Sequence, residues 1–355
     1  MKSLLKKIFG PALIACTLIS ATLCLTSCSA KKTDTSGKLK VICTIFPEYD
    51  WFMNVSGEEN PKIIPSLLIK SGVDLHNFQP STKDMIDISE CDLLIYVGGE
   101  SDGWIKKALL NSTNPNQKVI NLMEVLKENI KEEELVEGMQ EEEEHHHDES
   151  EDHDEDEEHH DEGEEHEEGE HHHHEEIEYD EHVWLSLKNA EIIVNAISET
   201  LCQMDGENAE TYKTNAKKYI LELKDLDGQY KDALKNPSEK PLIFCDRFPF
   251  RYMTDDYALS YYAAFKGCST ESEASFETIV FLADKVREND SAYVIKIDNS
   301  SEKLADTVIA TAKKPSCRII TLDSMQSTTL EDIFKGKTYT GTMKANLEEL
   351  KKVIQ

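Results

Sequence analysis

Apolar and polar positions along the first half of the chain follow the order expected for alternating strands and helices. Four short apolar, β-rich runs predict strands, at residues 39–46, 62–67, 92–99 and 119–122. Residues 82–89, between the second and third of these runs, predict a helix. Because nearly continuous apolar strands alternate with helical stretches, the pattern predicts an α/β domain with a parallel sheet.

The second half repeats this layout after two helical stretches. Residues 187–204 predict one helix, and residues 206–234 carry apolar side chains at steps of three and four, which predicts an amphipathic helix of about eight turns, roughly 40 Å long. Further strands are predicted at residues 242–245, 291–297 and 318–322, and further helices at 301–313 and 339–353. We therefore expect an α/β fold of two (β/α) lobes with parallel sheets, joined by one long rigid helix.

Charge is distributed very unevenly between this pattern and the segment that interrupts it. The formal net charge is −32, yet 29 of the 70 acidic residues lie between residues 132 and 181, where Lys and Arg are absent. The other 41 acids nearly balance the 38 basic residues, and no basic stripe suggests a nucleic-acid partner. Residues 132–178 contain few apolar side chains, so we expect a disordered insert within a near-neutral globular protein.

Histidine is concentrated in the same insert. Eleven of the 13 histidines lie between His145 and His174, and only His76 and His182 lie outside. Imidazole suits zinc, copper, nickel and iron, and carboxylate adds charge and oxygen ligands. A solvated acidic linker is the plain alternative, but a linker has no need of histidine tracts. The composition therefore indicates a protein that handles a divalent metal.

The N-terminus has the pattern of an export signal. Three lysines within residues 2–7 precede an apolar run at 8–25, and LTSC at 25–28 resembles the lipobox of bacterial lipoproteins. Cleavage before Cys28 would leave that cysteine to carry lipid, with residues 28–38 as a tether; an uncleaved membrane anchor is the alternative. Either interpretation predicts a protein held at the cell membrane on its extracytoplasmic face.

Motifs of catalysis are missing from the sequence. GxGxxG, the P-loop, GxSxG and HExxH do not occur, and a histidine base could come only from His76 or His182 outside the insert. We therefore expect no enzyme, with a zinc hydrolase as the alternative. The candidate metal ligands follow predicted strands or the insert: His76, His182, the neighbours Cys245 and Asp246, and Asp298. A metal clamped in the cleft between the two lobes would use ligands from each.

Several of these segments together resemble a known family. TIFP at residues 44–47, GVDLHNFQP at 72–80 and DEHVWL at 180–185 are similar to the opening strand and the two metal-ligand loops of cluster A-I substrate-binding lipoproteins of ABC transporters. The histidine- and acid-rich insert makes the zinc-uptake (ZnuA-like) type the most similar. The resemblance covers essentially all of the mature chain.

This resemblance implies a function and partners. A ZnuA-like protein is expected to bind Zn²⁺ as its transported ligand and to deliver it, as a lipid-anchored monomer, to a membrane ABC permease. A manganese-binding member of the same family, or a surface adhesin with a structural metal, are the alternatives.

This chain departs from the family at the third metal ligand, and the resemblance also implies a disulfide. The family commonly has its third ligand in a His-Asp-x-Phe context, where this chain has CDRF at residues 245–248. Cys245 occupies the histidine position and Asp246 is the adjacent alternative, because neighbours on a strand point in opposite directions. Asp298 or Glu273 is the expected fourth ligand. The family also implies a disulfide between Cys268 and Cys317.

The resulting division of the chain has seven parts. They are a signal peptide (1–27), a tether (28–38), an N-terminal lobe (39–131), the insert (132–178), the end of the N-terminal lobe (179–205), the linking helix (206–236) and a C-terminal lobe (237–355).

Overall fold

In the described part of the chain, two four-stranded parallel sheets organise the fold. The structure is a computed structural model that describes residues 37–140, 178–235, 240–269 and 273–354. Cys28, the export signal and the histidine tracts lie outside the described residues. The chain from Leu39 onward belongs to one compact unit, and each sheet is the centre of one lobe within it.

The first sheet has the strand order β2-β1-β3-β4. Its strands are β1 (Leu39–Cys43), β2 (Ile63–Leu67), β3 (Leu93–Tyr96) and β4 (Lys118–Asn121). All its neighbouring strands pair in parallel, for example Val41 with Leu93. The central strand β3 is buried along its whole length, which explains why its sequence is continuously apolar rather than alternating.

The second sheet has the equivalent order β6-β5-β7-β8. Its strands are β5 (Leu242–Phe248), β6 (Tyr261–Lys266), β7 (Tyr293–Ile297) and β8 (Arg318–Leu322). An irregularity between Phe244 and Arg247 shifts the register of β5 against β6. The predicted α/β fold with two parallel sheets is thus confirmed, although β6 was not predicted.

Helices connect the strands and cover both sheets. In chain order they are α1 (Phe46–Ser56), α2 (Thr82–Glu90), α3 (Ile105–Leu110), α4 (Leu122–Leu126), α5 (Leu187–Met204), α6 (Ala209–Ala233), α7 (Arg251–Asp256), α8 (Phe276–Glu288), α9 (Lys303–Thr311), α10 (Leu330–Phe334) and α11 (Tyr339–Ile354). None of these described helices has the length and apolar character that crossing a bilayer requires.

The long helix α6 joins the lobes, as the periodicity predicted. It has 25 residues, about 37 Å at 1.5 Å per residue. On its buried face, the hydroxyl of Tyr219 donates to Asp50 on α1, and the hydroxyl of Tyr230 donates to the Met343 carbonyl on α11. One helix therefore packs against an element of each half of the chain.

Strand β1 ends earlier than its sequence pattern predicted. Pro47 lies in the first turn of α1, where a missing backbone donor has no consequence. The buried carboxylate of Glu48 accepts the backbone N–H groups of Thr44 at 2.7 Å and Ile45 at 3.2 Å. These bonds satisfy donors at the helix start, so residues 44–46 lead into the helix instead of extending the strand.

The segment predicted as a disordered insert begins with an ordered part. Glu132 pairs with Tyr179 in an antiparallel bridge, Met139 is buried, and the Gln140 N–H donates to the Ala264 carbonyl on the edge strand β6. The prediction of disorder from residue 132 was therefore wrong for residues 132–140, because their backbone pairs with residues 178–179 and with the second lobe. The remainder of the insert, residues 141–177, lies outside the described residues.

Candidate metal centre

His76 lies in the loop that follows β2, on a short 3₁₀ turn. Asp74 precedes that turn, and its side chain accepts the backbone N–H of His76 at 3.0 Å. The ring Nδ1 lies 2.6 Å from the Ser101 hydroxyl. This hydroxyl can accept the Nδ1 proton, which leaves the Nε2 atom with its lone pair available for a cation.

His182 is fixed by its own neighbour in the sequence. The carboxylate of Asp180 lies 2.8 Å from the backbone N–H of His182 and 2.9 Å from its ring Nδ1. The ring is fully buried. A Cβ on Gly267 would lie 3.1 Å from the imidazole and 2.8 Å from the Phe248 carbonyl, so the loop after β6 can approach His182 this closely only with glycine.

The two imidazoles meet at one point. The Nε2 atoms of His76 and His182 lie 3.1 Å apart. Burial, together with the neighbouring His182, lowers the pKa of His76 to about 3. Burial also opposes the charged form of His182, but Asp180 outweighs it and raises the pKa of that ring. Two ring nitrogens this close need a proton or a cation between them, and the raised pKa of His182 favours a proton there when no cation is bound.

Cys268 brings a thiol to the same point. It is half-buried in the loop after β6, and its Sγ and one ring nitrogen of each histidine all lie within 4.8 Å of one another. Its backbone N–H donates to Glu133 at 3.0 Å. Burial, followed by the charges of Asp180 and Glu133, raises the pKa of the thiol, so the proton stays on sulfur until a cation displaces it.

Gln326 completes the cluster from the loop after β8. Its Nε2 atom lies 2.6 Å from His182 Nε2 and 3.3 Å from His76 Nε2. The preceding residue, Met325, has a φ of 64°, and the indole N–H of Trp184 donates to the Ser324 carbonyl at 2.9 Å. Sequence reasoning missed Gln326. Its position just beyond the carboxyl end of a parallel strand was the available signal, since ligands collect at that edge.

The structure places Cys245 and Asp246 away from this cluster. Cys245 is buried with Ile243 in the hydrophobic cluster beneath α8 and α9, whereas Phe244 faces the other side of the sheet. Asp246 accepts the Ile297 N–H at 3.1 Å and the hydroxyl of Ser300. Both side chains are therefore committed to packing or hydrogen bonding within the second lobe, and neither is placed as a ligand.

Asp298 and Glu273 are also placed elsewhere. Asp298 accepts both the backbone N–H and the hydroxyl of Ser324, at 2.6 and 2.8 Å, and thereby holds the loop that carries Gln326. Glu273 is exposed and lies 3.6 Å from Lys303. Asp298 is thus a positioning residue one step away from the cluster.

The disulfide predicted between Cys268 and Cys317 is not formed, since both are free thiols. Cys268 follows the carboxyl end of β6, whereas Cys317 directly precedes the amino end of β8, so they lie at opposite ends of a parallel sheet. Two strands separate β6 from β8, which alone places them about 14 Å apart laterally. A disulfide needs Cα atoms within about 7 Å.

An acidic cavity of about 200 Å³ opens onto the cluster. Its lining includes His76 and Cys268 together with Glu100, Glu133, Glu178, Glu181 and one cation, Lys266. Glu181 accepts the Ser101 N–H through Oε1, while its buried Oε2 has no hydrogen-bond partner among the described residues and lies 3.9 Å from His76 Nδ1. A divalent cation at the histidine pair would compensate this buried negative charge.

Comparison with known proteins identifies the family. The sequence profile of the ZnuA family, described as "Zinc-uptake complex component A periplasmic", matches residues 41–353. The chain belongs to this family. The matched range contains both lobes and all four residues of the cluster. The family description is that of a component of metal uptake and names no enzymatic reaction.

Individual relatives agree with this assignment. The chain is 30% identical over 337 residues to the zinc-binding lipoprotein AdcA of Streptococcus pneumoniae, covering 94% of this chain and 60% of the relative. It is 28% identical over 347 residues to the high-affinity zinc uptake system protein ZnuA of Bacillus subtilis, covering 98% and 97%. The chain thus spans about 60% of the length of the AdcA relatives it matches.

A solved structure shows the same architecture. The Zn(II)-bound ZnuA-like domain of Streptococcus pneumoniae AdcA superposes with a TM-score of 0.65 at 25% sequence identity. The alignment covers 90% of this chain and 99% of that domain. The ZnuA-family fold therefore accounts for both lobes, and the ligand set must be argued from the residues of this chain.

Proposed function

We propose that this protein binds Zn²⁺ outside the cytoplasm and delivers it to a membrane ABC permease. The observation that supports it best is the buried histidine pair, with two Nε2 atoms 3.1 Å apart and each Nδ1 beside an oxygen atom of Ser101 or Asp180. An oxygen that accepts the Nδ1 proton of an imidazole holds the ring with its Nε2 atom toward a metal. The zinc-binding names of the AdcA and ZnuA relatives support zinc as the cation.

The position of the pair suits reversible binding. His76 belongs to the first lobe, and Gln326, which contacts both rings, belongs to the second. Relative motion of the loops after β2 and β8 would therefore change the number of ligands around the cation. A transported ion must be released as well as held, and a site divided between two lobes provides for both.

The remaining parts of the proposal concern residues outside the described ranges. Cys28 would carry the lipid that holds the protein at the extracytoplasmic face, where it would act as a monomer. The histidine- and acid-rich insert would gather zinc at low affinity or sense its abundance. The ordered flanks of the insert, Glu133 and Glu178, line the acidic cavity, so metal released by the insert would enter near the histidine pair.

Calorimetric zinc titration tests the proposal. His76→Ala combined with His182→Ala should abolish tight binding, because both nitrogen ligands are lost. The matched control is deletion of residues 141–174, which should leave one tight site per chain. Tight binding that survives the double substitution, or that disappears on the deletion, would reject this assignment of the site.

A chelator experiment separates transported from structural zinc. Cargo should be removed by a chelator while the circular dichroism of the fold is retained and zinc can rebind. An adhesin with a structural metal would unfold when the metal is removed.

A further inference from the structure

The thiol of Cys268 lies close enough to the histidine pair to bind the same cation. Cys268 Sγ lies within 4.8 Å of a ring nitrogen of both His76 and His182, which is compatible with one ion bonded to all three atoms at about 2.0–2.3 Å. We propose that the Cys268 thiolate is the third protein ligand of the cation. This inference rests on the proposed function, because it assigns a donor to that same site.

The path of the second sheet explains why the ligand comes from β6 rather than β5. Strand alternation turns Cys245 into the hydrophobic cluster beneath α8 and α9. The irregularity that follows turns Arg247 toward the first lobe, where its guanidinium contacts Asp74 at 2.8 Å. The end of β5 therefore provides a cross-lobe ion pair, and the adjacent strand β6 carries the donor into the cluster.

The loop after β6 is built to hold the thiol there. Gly267 lets the backbone pass against the His182 ring, and the Cys268 N–H is bound to Glu133. The negative charge of Glu133 lies close enough to the thiol to help raise the thiol pKa. When the cation binds, a metal–sulfur bond forms and the S–H bond breaks. The proton leaves through Glu133 to solvent in the cavity that Glu133 lines.

A thiolate at this position determines which metal is preferred. Two imidazoles and one thiolate form a borderline-soft donor set that suits Zn²⁺, whereas Mn²⁺ prefers carboxylate, carbonyl and water. Gln326 lies beside both rings, and rotation of its amide would offer the side-chain oxygen as the fourth ligand. Cys268 is therefore proposed as the residue that gives the site its selectivity for zinc over manganese.

Cobalt substitution tests the inference directly. Co²⁺ bound by a thiolate shows a sulfur-to-cobalt charge-transfer absorption in the near ultraviolet, and the insert cannot produce it because no cysteine lies between Cys91 and Cys202. The full chain loaded with Co²⁺ should show this band, and Cys268→Ser should lose it. Cys245→Ser and Cys317→Ser are matched controls that should keep it.

Zinc titration of the same variants supplies the second measurement. Cys268→Ser should bind zinc more weakly by over about 100-fold, beyond the 10–100-fold typical of losing an outer partner. Zinc should also protect Cys268, and not Cys317, from alkylation in the native chain. Tight zinc binding without the sulfur band, or unchanged binding by Cys268→Ser, would overturn the inference and leave the proposed function standing. Absence of tight zinc binding in the native chain would overturn both this inference and the proposed function.

Discussion

The two lobes contribute to the proposed metal centre in different ways. In the first lobe, each histidine is fixed by a partner from its own region: His182 by Asp180, and His76 by Asp74 and Ser101. In the second lobe, Cys268 and Gln326 lie on loops that follow β6 and β8. The histidine half of the centre is therefore held in place within the first lobe. The half formed by Cys268 and Gln326 depends on how closely the second lobe approaches the first.

This difference indicates how capture and release can be separated. Rigid, pre-oriented imidazoles lower the entropy lost when a cation binds, because their rotamers are already fixed. Ligands that arrive with the second lobe add affinity only in the closed arrangement. Contacts between the lobes, such as the antiparallel bridge of Ser71 with Thr329, would then determine how long the cation stays bound.

Among substitutions that leave the proposed ligands in place, the largest effect should follow from disturbing the fixed half. Asp180→Asn removes the negative charge beside His182, while one side-chain oxygen can still accept both N–H groups, as Oδ1 of Asp180 does in the structure. We expect about 10–100-fold weaker zinc affinity, measured by competition with a chelator of known affinity. Asp298→Asn, which acts through Ser324 in the second lobe, is the matched control and should lower zinc affinity less. Equal losses would show that the two halves are equally pre-organised.

Acidification acts on the proposed ligands themselves, and the two halves should respond separately. His76 has a pKa lowered to about 3, so it is already neutral between pH 5 and 7 and releases no proton to the metal. His182 and Cys268 both have raised pKa values, so zinc must displace a proton from each when they are protonated. Each displaced proton weakens apparent affinity about tenfold per pH unit as the pH falls.

Titrations at pH 7, 6 and 5 check this expectation. In the native chain, the logarithm of the zinc affinity should fall by about two per pH unit, one for each displaced proton. Cys268→Ser should reduce that slope by about one. A slope that the substitution leaves unchanged would mean that the thiol gives up no proton to the metal. A flat profile in the native chain would contradict the protonation assigned to His182 as well.

The sequence predicted much of this fold because the relevant signals were local. Long apolar runs identified the strand cores, and the helix α5 begins and ends at the predicted residues, Leu187 and Met204. Strand β6 escaped prediction because its two central alanines, Ala263 and Ala264, are weak strand formers. The order within residues 132–140 escaped it too, since it comes from pairing with β6 and with Tyr179 rather than from local apolar content.

The candidate site was predicted only in part, for a related physical reason. His76 and His182 stood out because histidine is scarce outside the insert. The role of a cysteine depends on which face or strand end carries it, and the sequence does not show the register irregularity in β5 that turns Arg247 toward Asp74. Gln326 carries an ordinary amide, whose role becomes visible only when its distances to both imidazoles are known.

The smallest effect should come from the contact that joins the halves without touching the cation. Arg247 of the second lobe and Asp74 of the first form an ion pair at 2.8 Å, with side chains 16% and 9% exposed. Arg247→Ala should speed zinc release about threefold to tenfold, which corresponds to a loss of roughly 1 kcal/mol from the closed arrangement. Association should change little, because the histidine pair remains in place. Arg287→Ala, which removes an ion pair within α8, is the control and should leave release unchanged. If Arg247→Ala released zinc at the native rate, the second lobe would have to be held closed by other contacts, such as that of Trp184 with the Ser324 carbonyl.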